Sequence, residues 1–202
     1  MIEINCHSSI KIMKGIIIYF DPFRINEEKH DADLILITHD HYDHYSPEDI
    51  KKVIKKDTII VAPKTINELN NKENITFVEP NQTYNINGYK IDTIPAYNIS
   101  KHFHPKENNW IGYIIEIDGL KYYVAGDTDI TPENRQIKCD VALIPIGGTY
   151  TMDYKEASEL INIIKPKIAI PTHYGSIVGD ITDGEKFKKL IDNTIDVQIL
   201  IK

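Results

Sequence analysis

The run Thr38-His39-Asp40-His41-Tyr42-Asp43-His44 constrains this chain more than any other segment. Three imidazoles and two carboxylates fall between His39 and His44, directly after the apolar, strand-like run Asp33-Leu34-Ile35-Leu36-Ile37. A buried strand that delivers so many ionisable groups to one place is costly unless something compensates them. A divalent metal compensates them well, because neutral imidazole and carboxylate are the standard ligands of Zn²⁺ and its borderline neighbours. His39 and His41 are two residues apart, so in extended chain they face the same way and can grip one ion. Asp43 and His44 lie beyond the strand, where a turn can offer them to a second ion. The segment reads as half of a two-metal site.

Two further strand ends carry ligand-type residues. Ala125-Gly126-Asp127-Thr128-Asp129 closes an apolar strand, and the two oxygens of Asp127 can bridge a pair of cations. Gly126 lets the backbone approach something closely. Ile170-Pro171-Thr172-His173-Tyr174-Gly175 is again a strand end with an imidazole. Any one of these turns is unremarkable alone; three in one chain point to a shared metal centre.

The 202 residues suit one domain, 1–202, with a sizeable core. Hydrophobic residues make up 42% and charged residues 26%, an ordinary globular balance. The net charge of −7 argues against broad nucleic-acid affinity, which needs a basic face, but leaves room for a small anionic substrate. The two cysteines, Cys6 and Cys139, form no Cys-x-x-Cys pair, so neither a disulfide framework nor a thiolate zinc site is indicated. The N-terminus lacks the basic start and apolar core of a signal peptide, and no run is long enough to span a membrane. A cytoplasmic location is the expectation.

Ile-rich strands are predicted at Glu3–Cys6, Ser9–Met13 and Gly15–Phe20, the last stopped by Asp21-Pro22-Phe23. Ser46, Pro47 and Asp49 predict a helix start with an approximate capping box, the helix running to about Lys56. Strands follow at Thr58–Ala62, Ile75–Val78, Thr83–Ile86 and Tyr89–Ile94, with a short helix near Thr65–Leu69. Asn87-Gly88 and Asp118-Gly119 are hairpin signals, the second joining Trp110–Ile117 to Leu120–Ala125. Beyond them come a strand at Asp140–Ile144, a helix capped by Asp153 and ended by Lys165-Pro166, a strand at Lys167–Ile170, a helix at Gly184–Ile191 and a strand at Asp196–Ile201. Hairpins supply antiparallel pairs, and helices separate strands that can pair in parallel. Two mixed sheets packed face to face with helices outside satisfy both.

The ordered set His39-x-His41-x-Asp43-His44, Gly126-Asp127-Thr128 and His173 resembles the metallo-β-lactamase-fold superfamily over about residues 1 to 202. His7-Ser8-Ser9, Asp21-Pro22-Phe23, Pro95-Ala96-Tyr97-Asn98 and Pro171-Thr172-His173-Tyr174-Gly175 resemble its small single-domain group related to ascorbate-6-phosphate lactonase. The resemblance implies an α/β fold, a four-layer αββα sandwich of two mixed β-sheets. It implies one metal on His39, His41 and a further histidine, a second on Asp43, His44 and His173, and Asp127 bridging them. Relatives often carry a histidine where this chain has Asn98. His104, stiffened by Pro105, is favoured as the missing ligand, with His102 and Asn98 the alternatives.

The expected activity is hydrolysis of a small polar ester, lactone or phosphodiester by water activated between two divalent ions, zinc before manganese or iron. Asp43 would orient that water or take its proton, and Tyr174 or Lys106 would stabilise the developing oxyanion. His7 is a candidate supporting group, and Trp110 fits the core better than a substrate wall. A nucleic-acid phosphodiesterase of the same superfamily and a non-catalytic metal binder are the competing readings. No nucleotide or flavin fingerprint is present, and no motif sets the oligomeric state.

Overall fold

The computed structural model describes residues 1–70 and 74–201. Thirteen strands among those residues form two sheets. The first takes β1 (Ile2–Cys6), β2 (Ser9–Met13), β3 (Ile17–Phe20), β4 (Ala32–Leu36), β5 (Ile54–Pro63) and β6 (Ile75–Val78) in chain order. The second comprises β7 (Thr83–Ile86), β8 (Tyr89–Pro95), β9 (Ile111–Ile117), β10 (Leu120–Val124), β11 (Val141–Pro145), β12 (Ile168–Thr172) and β13 (Asp196–Val197). Both are mixed. Hairpins make β1–β2–β3 and β7–β8–β9–β10 antiparallel, and crossovers make β3–β4–β5–β6 and β10–β11–β12–β13 parallel.

Alternation along the strands builds three apolar layers. Ile10, Ile18, Leu34, Leu36 and Val61 of the first sheet meet Ile91, Tyr113, Ile115, Val124 and Leu143 of the second. The outer face of the first sheet, through Ile35, Ile37 and Ile60, packs on Ile50 and Val53 of α1 (Pro47–Val53). That of the second, through Ala142, Ile144 and Ala169, packs on α2 (Tyr154–Ile164) and on Phe187 of α3 (Asp183–Leu190). Helix, sheet, sheet, helix is the four-layer αββα sandwich expected from the sequence. Ala157, Leu160, Ile161 and Ile164 recur at helical spacing, which is why α2 buries a single stripe.

Some boundaries differ from expectation. α1 stops at Val53 rather than Lys56, because Ile54 already pairs with Ala32 and the Thr58 hydroxyl, bound to Ala32 O, accepts from Lys55 N. The capping box at α1 is incomplete. Asp49 N donates to Ser46 Oγ, but the Asp49 carboxylate accepts from the backbone N–H groups of Arg24 and Ile25 instead of turning back. A full capping box stands at α2, where Asp153 and Glu156 exchange side-chain to backbone bonds. The last strand is only Asp196–Val197, since its ladder with β12 ends at the bond from Gln198 N to Ala169 O.

The two sheets are pinned together where β4 ends. Tyr113 of β9 crosses the core and donates its hydroxyl to Ile37 O at 2.6 Å. Gly126, at φ +65°, brings the end of β10 against the same place. A Cβ there would lie 3.0 Å from Ile111 O and 3.2 Å from Thr38 Cβ. The close approach inferred for Gly126 is therefore to the histidine-bearing strand itself.

Candidate metal centre

Strand β4 ends at Leu36, and the chain passes Ile37 and Thr38 into the histidine run. His39 and His44 are fully buried, Asp43 is nearly so, and His41 is partly exposed. Asp127 arrives after β10, His173 after β12, and His104 from the loop between β8 and β9. All are strand-end residues, and sandwich geometry brings these ends to one edge between the sheets.

They form two triads joined by one carboxylate. One ligand-type atom from each of His39, His41 and His104 lies within 4.8 Å of the others, and the same holds for Asp43, His44 and His173. Asp127 reaches both. Its Oδ2 is 3.3 Å from His104 Nε2 and 3.0 Å from His173 Nε2, and its Oδ1 is 3.3 Å from His44 Nε2.

Three outer groups fix which ring nitrogen points inward. His44 Nδ1–H donates to Asp21 Oδ2 at 2.7 Å. Thr38 Oγ1 donates to the same oxygen at 2.7 Å and so accepts from His39 Nδ1–H at 2.9 Å. His104 Nδ1–H donates to Asn98 Oδ1 at 3.0 Å. Each bond turns Nε2 toward the centre, the orientation of imidazoles held for a metal.

The donor set fits divalent ions. His44 Nε2, His104 Nε2, His173 Nε2 and Asp127 Oδ1 are buried and have no hydrogen-bond partner, although they lie within salt-bridge distance of one another. Leaving such atoms unpaired costs about 1–3 kcal/mol each, and a cation shared between them removes that cost. Burial and neighbouring charges oppose each other at these groups. Burial would raise Asp127, yet the charges of His173 and His44 hold it well below the usual carboxylate range. Burial also works against Asp43, where contact with His7 and the charge of His44 prevail and bring it to about 2. Burial, reinforced by His44, holds His39 well below the ordinary imidazole value. Burial would lower His44 too, but the carboxylates of Asp127 and Asp21 push it well above.

The loop residues separate cleanly. His104 is in the centre, His102 is exposed, and Asn98 stands behind His104 rather than in the ligand set. Asn98 Oδ1 also accepts from His104 N at 3.0 Å, and its Nδ2 donates to Tyr150 O at 3.0 Å. That last bond draws the Thr149–Met152 loop against the site. Phe103, half-exposed, meets Tyr150 edge-on at 4.6 Å. Trp110 is buried as expected, but against the first triad rather than in the apolar core. Its ring lies 4.9 Å from His39, 4.7 Å from His41 and 5.5 Å from His104.

Neither suggested oxyanion donor is available. Tyr174 is buried among α2 and α3 side chains, with its hydroxyl against Gly184. Lys106 is committed to Glu133 at 2.9 Å and to the Tyr97 hydroxyl at 3.2 Å. Lys101 is likewise paired, with Asp129 at 2.6 Å. Sequence reasoning gave no role to Asp21 or Thr38. Asp21 stood there only in the Asp21-Pro22-Phe23 motif that stops β3, although an acid directly after β3 lies parallel to and beside the strand that carries the histidines. His7 is a further arrival. Its Nε2 lies 3.1 Å from Asp43 Oδ2, and its ring centroid is 3.5 Å from that of His173, the rings tilted by 40°.

Comparison with known proteins matches this arrangement to a family. A family model described as the beta-lactamase superfamily domain matches residues 2–173, a span that contains every residue of the centre. A protein of Thermococcus onnurineus named UPF0173 metal-dependent hydrolase is 34% identical over 96% of this chain and 93% of its own length. A similarly named protein of Thermoplasma acidophilum is 32% identical over 96% of this chain and 92% of its own. A solved protein of Parabacteroides distasonis is 32% identical and superposes with a TM-score of 0.84 over 100% of this chain and 93% of that one.

Proposed function

The chain belongs to the beta-lactamase superfamily, and from that premise we propose that it is a metal-dependent hydrolase working through a pair of divalent ions on a small polar ester, lactone or phosphodiester. The observation that carries the pair is Asp127, whose two oxygens face histidines of both triads. His39, His41 and His104 would hold one ion, Asp43, His44 and His173 the other, and Asp127 would lie between them. Zinc suits the imidazole-rich donors best, with manganese and iron also compatible. Bound there, the ions supply Lewis acidity and lower the pKa of a water toward neutrality.

The protein's own groups supply order. Asp21, Thr38 and Asn98 keep three imidazoles in the tautomer that presents Nε2. Asp43, at about 2, is ionised at neutral pH and too weak a base to keep a proton, so its part is to orient the attacking water by accepting a hydrogen bond. Trp110 backs the first triad and keeps bulk water from its inner side. The partly exposed His41 marks the side from which substrate enters. With the lysines of the His104 loop tied to Glu133 and Asp129, transition-state charge would fall on the ions rather than on a side-chain donor. The net charge of −7 weighs against a nucleic-acid substrate.

The test is elemental analysis of metal-replete protein together with a panel of lactones, thioesters and phosphodiesters, run with and without chelator. About two ions per chain and chelator-sensitive hydrolysis are expected. Full hydrolysis by protein verified as metal-free would overturn the mechanism.

A further inference from the structure

His7 belongs to none of the ligand positions assigned above, yet it is buried to 1% exposure beside Asp43. It sits in the β1–β2 turn with φ at +57°, and His173 has φ at +58°. Left-handed backbone is uncommon for any residue other than glycine and clusters where a side chain must be aimed. The two histidines are also tied through their backbones, His173 N donating to His7 O at 2.9 Å. That bond joins the first hairpin of one sheet to the end of β12 in the other. It holds the rings at a centroid distance of 3.5 Å, tilted by 40°.

Neither ring nitrogen of His7 has a hydrogen-bond partner. Nε2 is 3.1 Å from Asp43 Oδ2, yet the angles are not those of a hydrogen bond. A shared proton needs that alignment; a shared cation does not, because both atoms then point at a third position. One ligand-type atom from each of His7, Asp43, His44 and His173 lies within 4.8 Å of the others. Four such atoms, with the shared Asp127 beside them, are enough to close a site for a divalent ion.

We propose that His7 Nε2 is an additional ligand of the Asp43–His44–His173 subsite, giving that position three histidines and Asp43, besides the shared Asp127, for a divalent cation. The inference rests on the paired-ion reading above and adds to it an asymmetry. With Asp127 shared between the two, the His39–His41–His104 subsite has three ligands of its own and the His7 subsite has four, so the second is the more nearly closed.

Cobalt(II) binding provides the test, read by visible absorption and by competition with a chromophoric chelator. The wild-type protein is compared with His7→Asn and His7→Gly. Both replacements accept left-handed backbone, so the turn is kept, and circular dichroism checks the fold. The wild type should bind two ions. Both variants should keep one at wild-type affinity, bind the other at least ten-fold more weakly and show altered d–d bands. Two ions at affinities within two-fold of wild type, with superimposable spectra, would overturn the assignment of His7 and leave the paired-ion reading standing. Equal weakening of both ions would overturn the placement at one subsite. A wild type that binds no cobalt would overturn the premise and the inference together.

Discussion

Replacing Asn98 by alanine tests how the centre is supported. The substitution removes one oxygen that accepts from His104 N and from His104 Nδ1, each at 3.0 Å, and one amide that donates to Tyr150 O at 3.0 Å. His104 is 1% exposed, so its two donors lose their partner in a place water reaches poorly. An unsatisfied buried group costs about 1–3 kcal/mol, and the two are not additive, because the small space vacated by the amide admits some water. The expected loss of stability is about 2–3 kcal/mol by denaturant titration of the stripped protein. The imidazole is also freed to rotate or change tautomer. Losing such an outer-shell bond typically lowers metal affinity 10- to 100-fold, or about 1.4–2.8 kcal/mol. Chelator competition should show that loss for one ion only. Asn98→Asp keeps the acceptor for His104 while setting a carboxylate oxygen against Tyr150 O, so it should retain most of the metal affinity at some cost in stability. If Asn98→Ala stays within 0.5 kcal/mol and two-fold of wild type, by the scatter expected of neutral substitutions, the supporting role is wrong. Near-complete loss of that ion in Asn98→Ala, with Asn98→Asp binding it more tightly than wild type, would make Asn98 a ligand.

Further expectations concern other parts of the molecule. Asp21→Asn should weaken metal binding about 10- to 100-fold, because an amide no longer enforces Nδ1–H on His44; unchanged affinity by chelator competition would refute this. Saturating zinc should raise the melting temperature of stripped protein, since ligand at about 1,000 times Kd adds about 4 kcal/mol to the native state; no shift by calorimetry would count against the centre. Gly112→Ala would place a Cβ 2.5 Å from Ala125 O on the neighbouring strand, with only backbone to give way. A loss of at least about 3 kcal/mol is expected in chemical denaturation, and a wild-type midpoint would show that the strands can part. Burial, helped by Asp140, pushes the Cys139 thiol up to about 12. At pH 8 about one part in ten thousand is then thiolate, so iodoacetamide should label Cys139 far more slowly than an exposed thiol, and rapid labelling in native protein would refute this.

How much of this could be read beforehand follows from the range of the interactions involved. The apolar runs of β2, β4 and β9, the turns at Asn87-Gly88 and Asp118-Gly119, and the Asp153 and Lys165-Pro166 ends of α2 are local patterns, and they were enough for a layered sandwich. Local pattern was weaker where pairing competes with propensity, as at Ile54–Lys56, where a helical run is captured by β4. In the site, spacing alone marked His39, His41, Asp43 and His44, and strand ends marked Asp127 and His173. Three alternatives for the last ligand stayed open because a loop's path is set by what it closes against. The structure turns His104 inward because Asn98 binds both its backbone and its ring, and leaves His102 outside. The contacts of Asp21 and His7 were not legible for a related reason. Asp21 meets His44, 23 residues on, through the parallel pairing of β3 and β4, and His7 is held by a backbone bond from His173 of the other sheet. Sequence by itself thus determined which chemical groups stand at the ends of which strands, because strand patterning and turn chemistry are short-range. Only the tertiary structure decided which of those ends meet, and which nitrogen each imidazole presents, because both depend on hydrogen bonds between segments that have no proximity until the sheets have packed.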